Sequence, residues 1–214
     1  MLNPLFFIII NRYPKRYVKI DQMQISIQGK RHSFSHQAAK TFHERADISP
    51  CETVTGAIER LRSNQVEYAI IPFINTLAGP VPALWAILPE CQDLWIEQEI
   101  ILPIRHMLYG QKNAAIGGIA YAHSHPHALT QCHDYLTTHQ ITPVEETDTA
   151  GSVDIIAKME DPAHAAIAPW RAIEHLPVNI ICIDTNIQDD SDNTTRFFVF
   201  QKRNDPHSRE PIEN

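Results

Sequence analysis

The sequence predicts an α/β fold, and three features of the 214-residue chain predict it. Short runs of branched and aromatic residues alternate with segments of helical spacing. The polar motifs fall where those apolar runs end and helices begin, which is where open α/β sheets bind ligands. Hydrophobic residues at 43% and charged residues at 20% give an ordinary globular composition, and the length suffices for one large domain or two small lobes.

The elements follow in order. Gln24-Ile25-Ser26-Ile27 alternates like a first strand. Val54, Ala57, Ile58 and Leu61 put one apolar face on a helix over Glu52–Ser63. Tyr68–Phe73 reads as a buried strand, and a loop rich in Asn, Gly and Pro follows it. Trp95–Leu102 and Arg105–Tyr109 read as strands separated at Pro103, and Ile119–Ala122 as a short strand. Pro126–Leu136 is expected to form one helix, with proline in the first turn where its missing donor is harmless. A helix over Ala150–Lys158 precedes strands at Ala165–Ala168 and Val178–Ile183. Phe197–Phe200 has the content of a buried final strand.

The ends differ from the body. Residues 1–22 are read as an N-terminal extension, and residues 204–214 as a flexible polar tail. The apolar run Leu5–Ile10 is too short to span a bilayer, and it lacks the charged and small-residue flanks of a signal peptide. A net charge of −7 argues against a nucleic-acid partner, and no membrane partner is expected. Cys51, Cys91, Cys132 and Cys182 form no Cys-x-x-Cys pair and are read as reduced, mostly buried thiols of a cytoplasmic protein.

Two metal signals fail on inspection. His123, His125, His127 and His133 alternate suggestively, but Pro126 between the potential ligands disturbs them, and no metal is expected. A calcium loop starting at Asp190 needs glycine sixth and glutamate twelfth; Thr195 and Gln201 stand there. The chain also carries no Gly-rich phosphate loop and no Ser-His-Asp or Cys-His signature in supporting context.

Chemistry concentrates in five segments. Ser33-Phe34-Ser35-His36-Gln37-Ala38-Ala39 follows the first strand, and Ile71-Pro72-Phe73-Ile74-Asn75-Thr76 ends another. Ser124-His125-Pro126 begins a helix that leads to Gln131-Cys132, and Asp148-Thr149-Ala150 begins the next. Last comes Ile187-Gln188-Asp189, a short acidic loop, and Asn193-Thr194-Thr195-Arg196-Phe197. An arginine fork at a strand edge matches a carboxylate, and a threonine hydroxyl beside it offers a hydrogen-bond donor that is also an acceptor. In order and distance these segments resemble the catalytic domain of prephenate dehydratases. That family carries Thr-Phe-Ser-His-Gln-Ala-Ala, Pro-Ile-Glu-Asn-Ser, Ser-His-Pro with a later Gln-Cys, and Ile-Gln-Asp before Asn-x-Thr-Arg-Phe. The likeness runs from about Met23 to Gln201.

The resemblance implies a two-lobed architecture of the periplasmic-binding-protein type II kind, with the active site in the cleft between lobes. The domain would span 23–203, with one lobe of about 23–103 plus 185–203 and the other of about 104–184. It implies a cofactor-free lyase that converts prephenate to phenylpyruvate in phenylalanine biosynthesis, working as a homodimer. Thr195 takes the place of the family's essential threonine, which acts at the departing hydroxyl. Asn75, Thr76, Ser124, Gln131 and Arg196 match its binding residues, and Ser33, Ser35 and Thr149 add hydroxyls. Arg196 would hold a carboxylate or order the Thr195 loop.

Departures define the alternatives. His32 stands where the family has glycine, Ile74 replaces the glutamate of Glu-Asn-Ser, and Pro80 replaces a small hydroxyl residue. They motivate two other readings: a prephenate decarboxylase-like enzyme that retains the hydroxyl, or a catalytically silent small-dicarboxylate binding module. Retention of Thr195-Arg196-Phe197 weighs against the first. The family's usual regulatory domain is not expected after the last strand, and neither is inhibition by phenylalanine through that route.

Overall fold

The computed structural model describes residues 23–203, so the expected extension and tail lie outside the described residues. The first half runs β1 (Gln24–Gln28), α1 (Phe34–Phe42), β2 (Asp47–Cys51), α2 (Val54–Arg62), β3 (Tyr68–Asn75), β4 (Gly79–Pro80), α3 (Pro82–Ile87) and β5 (Leu94–Pro103). The second half runs β6 (His106–Gln111), β7 (Tyr121–Ser124), α4 (Pro126–Thr130), α5 (His133–Thr138), β8 (Thr142–Glu145), α6 (Ser152–Met159), β9 (His164–Pro169) and β10 (Ile180–Thr185). The chain then returns to the first sheet as β11 (Thr194–Lys202).

Two sheets result. The first has the order β2-β1-β3-β11-β5, with β4 paired to β3, and the second β10-β6-β9-β7-β8. The strands β1, β2 and β3 run parallel, while β11 is antiparallel to both β3 and β5. The strand made last therefore sits inside the first sheet, and residues between β5 and β11 build the second lobe.

Helices cover both faces of the first sheet, so its strands are apolar on both sides. Ile25 and Ile27 meet Ala38 and Ala39 of α1, together with Phe197 and Val199 of β11. On the opposite face Ala57, Ile58 and Leu61 of α2 pack with Ile71 and Phe200. Ser26 interrupts the apolar run of β1; it is fully buried and donates to the Ala57 carbonyl at 2.8 Å, so its hydroxyl is satisfied. The helix starts are set by side chains, Ser33 accepting from the His36 N–H and Thr53 from the Gly56 N–H. In the second lobe, Leu129 of α4 and Leu136 of α5 cover one face, and Val153 and Ile156 of α6 the other. In the first lobe Phe197 is 1% exposed among the residues packed against α1, and its truncation to alanine costs about 3–5 kcal/mol.

Several sequence expectations shift. The single helix expected over 126–136 is two helices, α4 and α5, separated at Gln131-Cys132. Asp189 breaks it: its N–H donates to the Gln131 carbonyl at 2.8 Å, and its carboxylate accepts from the Asp134 N–H at 3.1 Å. Those are the groups a continuous helix would use internally. The strand expected at Ile119–Ala122 forms at Tyr121–Ser124, after a 3-10 turn over Ile116–Gly118. The helix expected at 150–158 starts at Ser152.

The two crossings between lobes are bonded to each other. Ile104 N–H donates to the Asn193 carbonyl at 2.9 Å, and Ile187 N–H to the His106 carbonyl at 3.0 Å. Among the described residues no helix is long and apolar enough to cross a membrane. All four cysteines are free thiols; Cys91 and Cys132 are buried, and Cys51 and Cys182 half-buried.

Candidate active site

The end of β3 and the start of β11 form one polar clasp. Thr195 pairs with Asn75 across the ladder. The Asn75 amide donates to Thr195 Oγ1 at 2.9 Å, to Asn193 Oδ1 at 2.7 Å and to the Thr194 carbonyl at 3.0 Å. Its Oδ1 accepts from the N–H groups of Leu77 and Ala78, at 3.0 and 2.8 Å. Asn75 is thus both turn former and donor. Thr76 joins by donating to Asn193 Oδ1 at 3.1 Å and accepting from the Thr194 N–H at 3.0 Å. Asn193, buried at the clasp centre, keeps an amide nitrogen without a partner among the described residues.

The clasp fixes the direction of the Thr195 hydroxyl. One lone pair accepts from Asn75, so the O–H remains free to donate. Thr195 is 8% exposed, near the start of a strand held between two others.

Arg196 points elsewhere. Side chains alternate along a strand, so Arg196 lies on the sheet face opposite Thr195. There its guanidinium forms a two-point pair with Glu99 of β5, with Nη2 to Oε2 at 2.8 Å. This pairing raises the Arg196 pKa. Arg196 therefore orders its strand and does not share the Thr195 face. Ile74 stands in register with both Arg196 and Pro80, on the same opposite face. The Ile74 and Pro80 departures thus change the surroundings of Arg196 and leave the clasp side alone.

The remaining candidates divide. Gln131 caps the end of α4, and its Oε1 lies 2.9 Å from His106 Nε2. It does not project two helical turns from Ser124, because α4 ends at Thr130. The Ser124 hydroxyl is fully buried and donates to the Ile167 carbonyl at 2.8 Å; His125, not Ser124, caps α4. Ser33 is the α1 cap, and Ser35 is buried within that helix. Thr149 is half-buried beside Asp148, whose carboxylate accepts from the Gly151 N–H and pairs with Lys30 of the first lobe. The structure thus unites Asn75, Thr76 and Thr195, places Gln131 on a neighbouring cavity, and turns Ser124 and Arg196 away.

That cavity, about 500 Å³, lies between the lobes. Leu77 and Ala78 of the Asn75 turn line one side, and Pro126, Thr130 and Gln131 the other, with Asp189 beside them. His32 adopts the left-handed conformation (φ +67°) that a glycine would take more readily, and its ring packs on His175 of the second lobe at 4.6 Å. His36 behind it accepts from the His32 N–H, and burial first, then neighbouring cations, lowers its pKa to about 4. The suggestive histidines have separate partners. His123 bonds Glu146 and His164, while His127 stacks on His125. Among the described residues no cluster of three or more potential ligands could hold a metal.

Sequence reasoning missed His106, Gln188 and Asn193 as parts of the site. Asn193 begins the segment that carries Thr195, which is a signal; His106 carries none beyond its place at a strand start.

A model of the prephenate dehydratase family matches residues 25–205, a stretch that includes every residue of the clasp. The chain belongs to the prephenate dehydratase family. It is 32% identical to arogenate dehydratase 2 of Petunia hybrida over 89% of this chain and 46% of that one. It is 30% identical to the prephenate dehydratase of Methanocaldococcus jannaschii over 80% of this chain and 62% of that one. The chain thus spans about half to under two thirds of these relatives. A solved prephenate dehydratase from Arthrobacter aurescens, in complex with L-Phe, superposes with a TM-score of 0.78 at 24% identity, covering 86% of this chain and 61% of that one. The two-lobed α/β architecture is shared with that structure.

Proposed function

We propose that this chain is a prephenate dehydratase: a lyase that removes water and carbon dioxide from prephenate to give phenylpyruvate, in phenylalanine biosynthesis. The observation that carries this reading is the buried Thr195 hydroxyl, one of whose lone pairs accepts from Asn75 while its proton is free to donate.

The chemistry suits such a group. The bond from the ring to its carboxylate breaks, and the electron pair enters the ring as a double bond. The ring C–O bond breaks at the opposite carbon, and hydroxide leaves with a proton. One proton is consumed; nothing is oxidised or reduced overall. Aromatisation supplies the driving force, so the protein must orient the substrate and assist the hydroxyl. Thr195 donates a hydrogen bond to that oxygen as negative charge develops, an effect that depends on placement. Gln131 offers its amide to a substrate carboxylate, and closure of the cleft removes the water that stabilises the ring carboxylate.

The named relatives are dehydratases, which does not favour the decarboxylase or silent-binder readings. Four free thiols support a reducing, cytoplasmic setting, and the net charge of −7 speaks against nucleic acid. A homodimer is part of the proposal and is tested by sedimentation. The deciding experiment is a turnover assay with prephenate, products identified by mass, on the wild type, Thr195→Ser and Thr195→Val. Phenylpyruvate from the wild type and Thr195→Ser, with none from folded Thr195→Val, supports the reading. A non-aromatic decarboxylated product, or binding without turnover, overturns it.

A further inference from the structure

His106 is the first residue of β6 and lies where the two crossings meet. Its backbone N–H donates to Gln188 Oε1 at 2.9 Å, and its carbonyl accepts from the Ile187 N–H. The ring is 1% exposed. Phe34 of α1 meets it edge-on at 5.3 Å from the first lobe, and Gln131 meets Nε2 from the second. Nδ1 is buried with no partner among the described residues.

The two neutral tautomers are not equivalent in this setting. With the proton on Nδ1, an N–H donor would be buried unpaired, which folded proteins rarely tolerate. With the proton on Nε2, the buried Nδ1 is only an unused acceptor, and Nε2–H donates to Gln131 Oε1. The Gln131 side chain has then spent its acceptor on the histidine. Its amide nitrogen has no partner among the described residues, and Gln131 lines the cavity, so that nitrogen is the group left to meet a ligand there. Desolvation also holds the His106 pKa below the ordinary histidine value, which keeps the ring neutral.

We infer that His106 is a positioning residue: as the neutral Nε2–H tautomer it fixes the Gln131 amide so that its two N–H groups, and not its oxygen, face a carboxylate of the bound substrate. Without the histidine the Gln131 amide is free to rotate, and its oxygen would then repel the same carboxylate. The inference rests on the dehydratase reading for the identity of that carboxylate, but the tautomer does not depend on it.

The test uses the full chain with prephenate and four variants: His106→Phe, His106→Gln, Gln131→Ala and the His106→Phe/Gln131→Ala double. Loss of one charge-assisted hydrogen bond predicts a fall of about tenfold in kcat/KM for His106→Phe. Glutamine carries a donor near the Nε2 position, so His106→Gln recovers most of that loss. In the double variant His106→Phe adds nothing to the loss of Gln131→Ala, because both remove one device. Nitrogen-15 spectra of the histidine rings in the wild type report Nδ1 as unprotonated. Losses that multiply in the double variant, no recovery in His106→Gln, or a protonated Nδ1 would each overturn the inference. If His106→Phe fails to fold, His106→Gln and the ring spectrum still decide it. If the wild type does not turn prephenate over, the dehydratase reading falls, and the ring spectrum judges His106 alone.

Discussion

Asn75 and Thr195 lie 120 positions apart in sequence and 2.9 Å apart in space, with the amide of one donating to the hydroxyl of the other. The pairing occupies one lone pair of the threonine and leaves its proton free to offer. Asn75→Asp keeps the oxygens that the Leu77 and Ala78 N–H groups need, but it removes the donors to Thr195 and Asn193. It should fold while losing about a hundredfold in kcat, as expected when a donor buried in a site becomes an acceptor. Turnover near the wild-type value in folded Asn75→Asp would show that the clasp is only structural.

Glu99 and Arg196 form an ion pair on the other face of the same strand. Both side chains touch solvent, and such pairs contribute about 0–1 kcal/mol. Glu99→Gln should lower stability by no more than that in urea melts and leave KM for prephenate within about twofold. A large rise in KM would return Arg196 to the binding role its motif suggests.

Ile74 neighbours Arg196, away from Thr195. Ile74→Glu should therefore give Arg196 a second carboxylate without charging the clasp, and turnover should stay within about threefold of wild type, on the scale of a surface charge change. A much larger change in rate, in either direction, would place that position in contact with the reaction.

The His36 ring is held neutral in the fold by burial, with its pKa near 4, against about 6.5 for a free histidine. Between those values the unfolded chain binds the proton and the folded chain does not, so stability falls as pH drops from about 6.5 to 4 and then levels. The loss from this group is about 3 kcal/mol at its largest. His32 and His106, also lowered chiefly by burial, act in the same direction. His36→Asn keeps an acceptor for the His32 N–H but cannot titrate. Its stability should be flatter across this window in parallel urea melts, and an unchanged slope would assign the acid sensitivity to other groups.

The strands with continuous apolar content and the α2 helix were legible because burial writes a period into them. Edge strand β2 was not: its sequence Asp47-Ile48-Ser49-Pro50-Cys51 carries a proline and a charge that only an edge tolerates. Helix α1 was hidden by its small and polar residues, since Ser35, His36 and Gln37 are buried there. The break between α4 and α5 has no local signal, because Asp189 imposes it from more than 50 residues away. In the site, the motifs named Asn75 and Thr195 as candidates but not their contact, which the antiparallel pairing of β3 and β11 makes. The divergence of Thr195 and Arg196 follows from strand alternation alone. The contact of Gln131 with His106 could not be read, because it depends on the meeting of two crossings.

The central place of β11 also orders events during synthesis. Until residues 194–202 leave the ribosome, β3 and β5 have no strand to join them, and Phe197 and Val199 are missing from the core. The second lobe is translated in full before the first can close, so the earliest independent folding unit should be the inserted one. Thr195 arrives on that same last strand. A prematurely terminated chain would therefore lack both a closed first sheet and the Thr195 hydroxyl on which the proposed dehydration depends.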